Sequence, residues 1–162
     1  MRYASIVLVG LLLSFASHGA EVLADRVLVK KSERKLYLLK GDVVMRSYDI
    51  ALGLMPDGHK EREGDFRTPE GEYLLTNRLQ DSDFFLAIQV SYPDGIDETT
   101  ARRMGVSPGG QIMIHGQPGD PKRSAAYYAS NDWTDGCIAV SNSAMVDIWQ
   151  LTMPNTPIKI VP

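Results

Sequence analysis

The chain has 162 residues, 44% of them hydrophobic and 23% charged, the balance of one ordinary globular domain and too short for two. Its 17 Lys and Arg against 20 Asp and Glu give a formal charge of -3, which leaves no basic face for nucleic acid. It has no glycine-rich phosphate loop of the P-loop or dinucleotide type, so neither nucleotide class gains support.

Arg2 supplies a positive start, and Ile6 to Phe15 is an apolar run broken only by Gly10 and Ser14. The run is shorter than the about 20 residues that span a bilayer and fits the apolar centre of a secretory signal. Cleavage after Ala24 uses Val22 and Ala24 as recognition positions and is favoured over cleavage after Gly19, which uses Ser17 and Gly19; an uncleaved anchor is the alternative. The expected division is a signal peptide over residues 1–24 and one domain over 25–162, lying in the periplasm or cell envelope. No Cys follows the apolar run, which excludes a lipid anchor on a new N-terminal Cys. Cys137 is the one cysteine, so no disulfide closes within the chain. In an exported protein it reads as a free reactive thiol or an intermolecular bridge, against the plainer reading of a small buried hydrophobe.

Strands come first along the chain and a helix comes last. Arg26 to Val29 and Lys35 to Leu39 are short apolar runs joined by the polar stretch Lys30 to Arg34, a hairpin pattern. Gly41-Asp42 makes a turn, and Val43 to Leu52 continues in strand-forming residues. Pro56-Asp57-Gly58 and Gly64-Asp65 bracket a charged loop, His59 to Glu63, in which His59 looks solvated. Glu72 to Asn77 and Phe85 to Tyr92 are further strands, the second ended by Pro93-Asp94-Gly95. Asp97 to Met104 is helical, with Asp97 as cap and Gly105 as stop. Ile112-Met113-Ile114 is a buried strand that delivers His115 at its end. Gly116 to Trp133 is a long connection with one helical turn around Ser124 to Ala129, a length that often marks function. Ile138 to Val140 is a strand fragment, and Ser141 or Asn142 caps a helix with Ala144, Met145, Ile148, Trp149 and Leu151 on its apolar face. Pro154 and Pro157 end it before a closing strand, Ile158 to Val161. The fold class expected is one mainly-β domain with minor helices, one of them near the C-terminus.

Cys137 sits in Thr134-Asp135-Gly136-Cys137-Ile138-Ala139-Val140-Ser141-Asn142. A glycine before a thiol allows a tight turn, and the N–H groups around such a turn can face an oxyanion. A thiol attacks as thiolate and needs a basic partner. His115, held at a strand end, is that partner in preference to His59, and a Cys–His pair distant in sequence but adjacent in the fold is the expected arrangement.

These residues carry a resemblance. Lys35-Leu36-Tyr37-Leu38, Thr68-Pro69-Glu70-Gly71-Glu72-Tyr73, Ile114-His115-Gly116, and Gly136-Cys137-Ile138 with Ser141-Asn142 resemble, in that order, the catalytic domain of the L,D-transpeptidases with its YkuD-type fold. The likeness covers residues 26–161. It implies a β-sandwich or barrel-like domain that acts on peptidoglycan stem peptides and needs no metal or organic cofactor. Cys137 would attack the carbonyl at the L-centre of meso-diaminopimelate, His115 would serve as base, and the N–H groups of Gly136 and Cys137 would hold the oxyanion. The thioacyl group would pass to an amine, giving a cross-link or an attached lipoprotein, or to water. Acylation of Cys137 by carbapenems is a further implication. The resemblance also makes Gly116, Trp133, Thr134 and Asp135 substrate contacts, with Arg67 and Arg123 as candidates for stem-peptide carboxylates. For Trp133 the plainer reading is packing, and for the two arginines it is solvated surface charge.

Two positions depart from the family pattern. Asp135 replaces the second His of the usual Ser-His-Gly-Cys, and Ala139 replaces an Arg two residues beyond the Cys. The pattern is that of a divergent subgroup, some of whose members are linked to cleaving diaminopimelate bonds, including bonds to an anchored lipoprotein. The alternatives are therefore a hydrolase and a non-catalytic envelope binding module. A metallopeptidase built on His59, His115 and an Asp lacks any recognised ligand spacing.

Overall fold

The computed structural model describes residues 22–162, so the apolar centre of the signal segment and the Gly19 cleavage reading lie outside the described residues. Strands β1 (Arg26–Lys30), β2 (Lys35–Lys40) and β3 (Val43–Asp49) form a meander. Their side chains alternate, and the antiparallel register sets Val27 opposite Leu38 and Val29 opposite Leu36, all four buried. β8 (Pro157–Val161) returns to lie parallel to β1 and antiparallel to β4 (Gly71–Ser82), which carries Ile158 against both Val27 and Tyr73. β5 (Phe85–Val90), β6 (Met113–His115) and β7 (Ile138–Ala139) extend the sheet to its far edge. The eight strands run β3-β2-β1-β8-β4-β5-β6-β7.

The sheet is rolled on itself. Residues just beyond β3 reach the opposite edge, where Ala51 bridges Ala139 of β7 and Gly53 bridges Thr134. Joining the edges removes unpaired strand surface and gives the domain its barrel-like form.

Three helices complete the domain: α1 (Gly95–Met104), α2 (Ala125–Ser130) and α3 (Asn142–Leu151). α3 is capped by the Ser141 hydroxyl and buries Ala144, Met145, Ile148 and Leu151 on one side. Trp149 lies at the margin of that core, its ring covered by the Arg78 guanidinium at 4.2 Å. Arg78 lies on β4 beyond its expected end at Asn77. Its guanidinium also donates to the Trp149 and Thr152 carbonyls at the end of α3. α2 falls where one helical turn around Ser124 to Ala129 was expected, and the Ser124 hydroxyl caps it.

The cap of α1 differs from the expectation. Asp94, not Asp97, accepts the N–H groups of Ile96 and Asp97, and the Asp97 carboxylate returns to the Asp94 N–H at 2.9 Å. Asp94 serves both the turn after β5 and the helix start, a capping box read from sequence only as a turn. Gly105, left-handed at φ 71, stops the helix. Among the described residues no helix is long and apolar enough to cross a membrane.

Candidate active site

β6 and β7 are parallel neighbours, with Ile114 opposite Ile138 and His115 opposite Ala139. Both isoleucines are fully buried in the core. Because side chains alternate along a strand, His115 and Cys137, each one residue away from its isoleucine, are delivered to the other face together. The buried strand thus needs its apolar residues for packing and its end residue for chemistry.

His115 is 4% exposed, and its Nδ1 lies 2.7 Å from the Gly116 carbonyl oxygen. A carbonyl only accepts, so Nδ1 carries the hydrogen and Nε2 is left as the base. The ring is packed by Phe84 at 4.6 Å and Trp133 at 5.6 Å, and Tyr128 backs Trp133 at 5.0 Å. Burial pushes the His115 pKa below its ordinary value, against a smaller opposing effect of the Gly116 carbonyl, so the ring is neutral at neutral pH. Trp133 is therefore a wall of the His115 pocket. Its indole N–H is buried without a partner among the described residues. Gly116 acts through its backbone, and a Cβ there would stand 2.6 Å from Asn142 Oδ1.

The nucleophile turn is held by Thr134. This buried hydroxyl donates to the Cys137 carbonyl at 2.7 Å and accepts the Gly136 N–H at 3.2 Å. Gly136 has φ 133, and a Cβ on it would lie 2.6 Å from the Arg67 carbonyl oxygen. Only glycine fits that conformation and that approach. One expectation changes here: the Gly136 N–H is engaged by Thr134, so it reaches an oxyanion only by giving up that bond. The Cys137 N–H has no acceptor among the described residues and is the better-placed donor.

The Cys137 thiol rests on the Gln111 carbonyl, with Sγ 3.6 Å from its oxygen, and accepts the Met113 N–H. Burial pushes its pKa up; the Met113 N–H draws it down, Asp135 raises it and Lys60 lowers it. The resting pair is a neutral thiol near a neutral imidazole.

Two cavities are lined by chain neighbours of Cys137 and His115. One, of about 760 Å³, is lined by Lys60, Glu63, Phe66, Gln111, Ile112 and Asp135 among others. Asp135 is exposed in it, while the nearly buried Lys60 ammonium is held by Asp65 at 2.8 Å. The other, of about 470 Å³, lies along the same strand face and is lined by Tyr48, Gln117, Tyr128, Ala139 and Ser141 among others. The two arginines stand apart. Arg67 turns its guanidinium to the His59 carbonyl and Glu61, at 3.3 and 3.4 Å, and gives the site only its backbone carbonyl. Arg123 is exposed over the Tyr127 ring at 5.7 Å and lines neither cavity.

His59 is not solvated as its charged surroundings implied. Its Nδ1 accepts the Glu70 N–H at 3.0 Å, and Nε2 faces Asp97 Oδ1 at 3.1 Å. The site residues that sequence reasoning passed over are Gln111, Phe84 and Tyr128. Phe84 lies in the tight β4–β5 turn, where an aromatic at a turn was the available signal; Gln111 offers none.

The fold thus sets an imidazole at the end of β6 and a thiol just before its parallel neighbour β7, beside a glycine-held turn. The chain belongs to the YkuD family of L,D-transpeptidase catalytic domains, whose model matches residues 24–160. It is 30% identical over 126 residues to YafK of Escherichia coli (strain K12). That match covers 74% of this chain and 44% of YafK, so the chain spans less than half the length of this relative. The helical cell shape determining protein Pgp2 of Campylobacter jejuni superposes with a TM-score of 0.62 at 26% identity, over 88% of this chain and 51% of that one. The L,D-transpeptidase of Xylanimonas cellulosilytica shares the fold, with a TM-score of 0.56 at 16% identity over 88% of this chain and 63% of that one.

Proposed function

We propose that this domain transfers acyl groups of peptidoglycan stem peptides through a thioester on Cys137, cutting at the L-centre of meso-diaminopimelate. What supports this reading is the parallel pairing of β6, which ends in His115, with β7, which Cys137 directly precedes, together with the His115 Nδ1 contact to the Gly116 carbonyl. Sγ attacks the carbonyl carbon as His115 Nε2 takes the thiol proton, and the carbonyl π pair moves onto oxygen, facing the Cys137 N–H. The carbonyl re-forms as the C–N bond breaks, and the leaving amine takes the proton from His115. An acceptor amine then attacks the thioester, giving its proton to His115, and the thiolate leaves and is reprotonated.

The second reading, hydrolysis, has water as acceptor. Ala139 favours it, because the cavity beside it lacks the fixed cation that an Arg would place there. A stem peptide or a peptidoglycan-linked lipoprotein would then be released rather than joined. Export to the periplasm or cell envelope agrees with either substrate. Ala24 is buried, and its N–H donates to the Leu151 carbonyl at 2.8 Å, so cleavage after Gly19, which retains it, suits the domain better than cleavage after Ala24.

Digestion of purified sacculi by the mature protein, with Cys137→Ala as control, tests the proposal by mass analysis of muropeptides. New diaminopimelate–diaminopimelate cross-links or D-amino acid exchange on the stem support transpeptidation. Loss of cross-links or release of lipoprotein fragments supports hydrolysis. No Cys137-dependent change would leave a binding module.

A further inference from the structure

We infer that Gln111 is a positioning residue for the proposed nucleophile: its left-handed backbone turns its carbonyl onto Cys137 and holds the resting thiol by a hydrogen bond. The inference rests on Cys137 being the nucleophile and concerns how that thiol waits.

Gln111 has φ 55, a conformation uncommon for residues other than Gly, Asn and Asp. Its side chain is exposed, so packing of that side chain does not impose the conformation. The neighbours do. Gly109 before it is left-handed at φ 75. Ile112 after it is buried against the Gly136 position, and its carbonyl is fixed by the Val90 N–H at 2.8 Å. Between these anchors the peptide after Gln111 presents its oxygen to the sulfur at 3.6 Å, within reach of a weak S–H donor.

Gln111 and Asp135 line the same cavity. A stem peptide lying there would press on the segment that holds the thiol and release the sulfur from Gln111. The charged groups that bear on the thiol are Asp135 on its own turn and Lys60 across the cavity.

Cys137 is the one cysteine, so the S–H stretching band in the infrared belongs to it alone. In the unsubstituted protein that band lies at lower frequency than that of a thiol in apolar solvent. Gln111→Pro fixes φ near about −65° and moves the carbonyl away. The band then rises to the free value, and alkylation by iodoacetamide at neutral pH becomes about threefold faster, the scale of one weak hydrogen bond. Gln111→Gly keeps the conformation and both readings. A band at the free position in the unsubstituted protein overturns the inference, as do equal bands and rates in the Pro and Gly variants. If Gln111→Pro does not fold, the band of the unsubstituted protein decides. No substrate enters these measurements. A lowered band without any Cys137-dependent muropeptide change therefore faults the reaction assigned to Cys137, and the reverse pattern faults Gln111 alone.

Discussion

Thr134 holds the nucleophile turn through one hydroxyl that both donates and accepts. Thr134→Val removes both bonds at once and leaves the Gly136 N–H buried and unpaired, at a cost of about 1–3 kcal/mol. Thr134→Ser retains them, so denaturant unfolding of the two variants should separate by that amount, and turnover should fall in the valine variant alone. At His115 the direction of the pKa fixes a pH profile. Burial lowers it from 6.5, so the base is unprotonated at neutral pH, and the acid limb of kcat/KM falls only below pH 6.5. His115→Gln should lower kcat/KM about 10²–10⁴-fold and remove that limb. Cys137 and His115 were legible in sequence because each stands in a local pattern, Gly before Cys and an apolar run before His. Gln111 was not, because nothing in a glutamine announces a left-handed backbone.

The segment between β3 and β4 is the element most easily misread. Its charges look solvated in sequence, yet Lys60 is buried, donating to Asp65 and the Arg62 carbonyl within the segment. Lys31, buried in the β1–β2 turn, reaches across to the segment and donates to the Gly58 and Thr68 carbonyls and to Glu70. The partners of Lys31 lie too far along the chain for local pattern to reveal. Gly53 marks the closest approach, since a Cβ there would lie 2.1 Å from the Phe66 carbonyl oxygen. Gly53→Ala should therefore destabilise by about 2 kcal/mol or more, the scale of a core overpacking, and slow Cys137 alkylation or turnover along with it. Asp65 adds a pH dependence. Burial works to raise its pKa, but Lys60 and the N–H groups of Arg62, Glu61 and Arg67 outweigh it and hold the carboxyl at about 2, against 3.8 ordinarily. A depressed folded value means stability that is present above pH 3.8 and lost as pH falls toward about 2. Asp65→Asn should cost about 2 kcal/mol at pH 7, a gap that closes in strong acid when unfolding is followed against pH.

On the scale of the whole molecule, the succession of strands along the chain and the late helix followed from the pattern of apolar residues, while the order of strands in the sheet and its closure did not. The contacts that close it, Ala51 to Ala139 and Gly53 to Thr134, join small residues far apart in sequence that carry no pattern of their own. That closure sets the turn before Cys137 beside the charged segment, and the two departures fall one in each of the cavities described, Asp135 in the larger and Ala139 in the smaller. The account rests on Cys137 as the acylated atom. Its most direct test is intact-protein mass spectrometry after incubation with a carbapenem, with peptide mapping of the adduct. The account predicts one addition, on the Cys137 peptide, absent from Cys137→Ala and slowed in His115→Gln. An unmodified protein, or an adduct on any other residue, would contradict it.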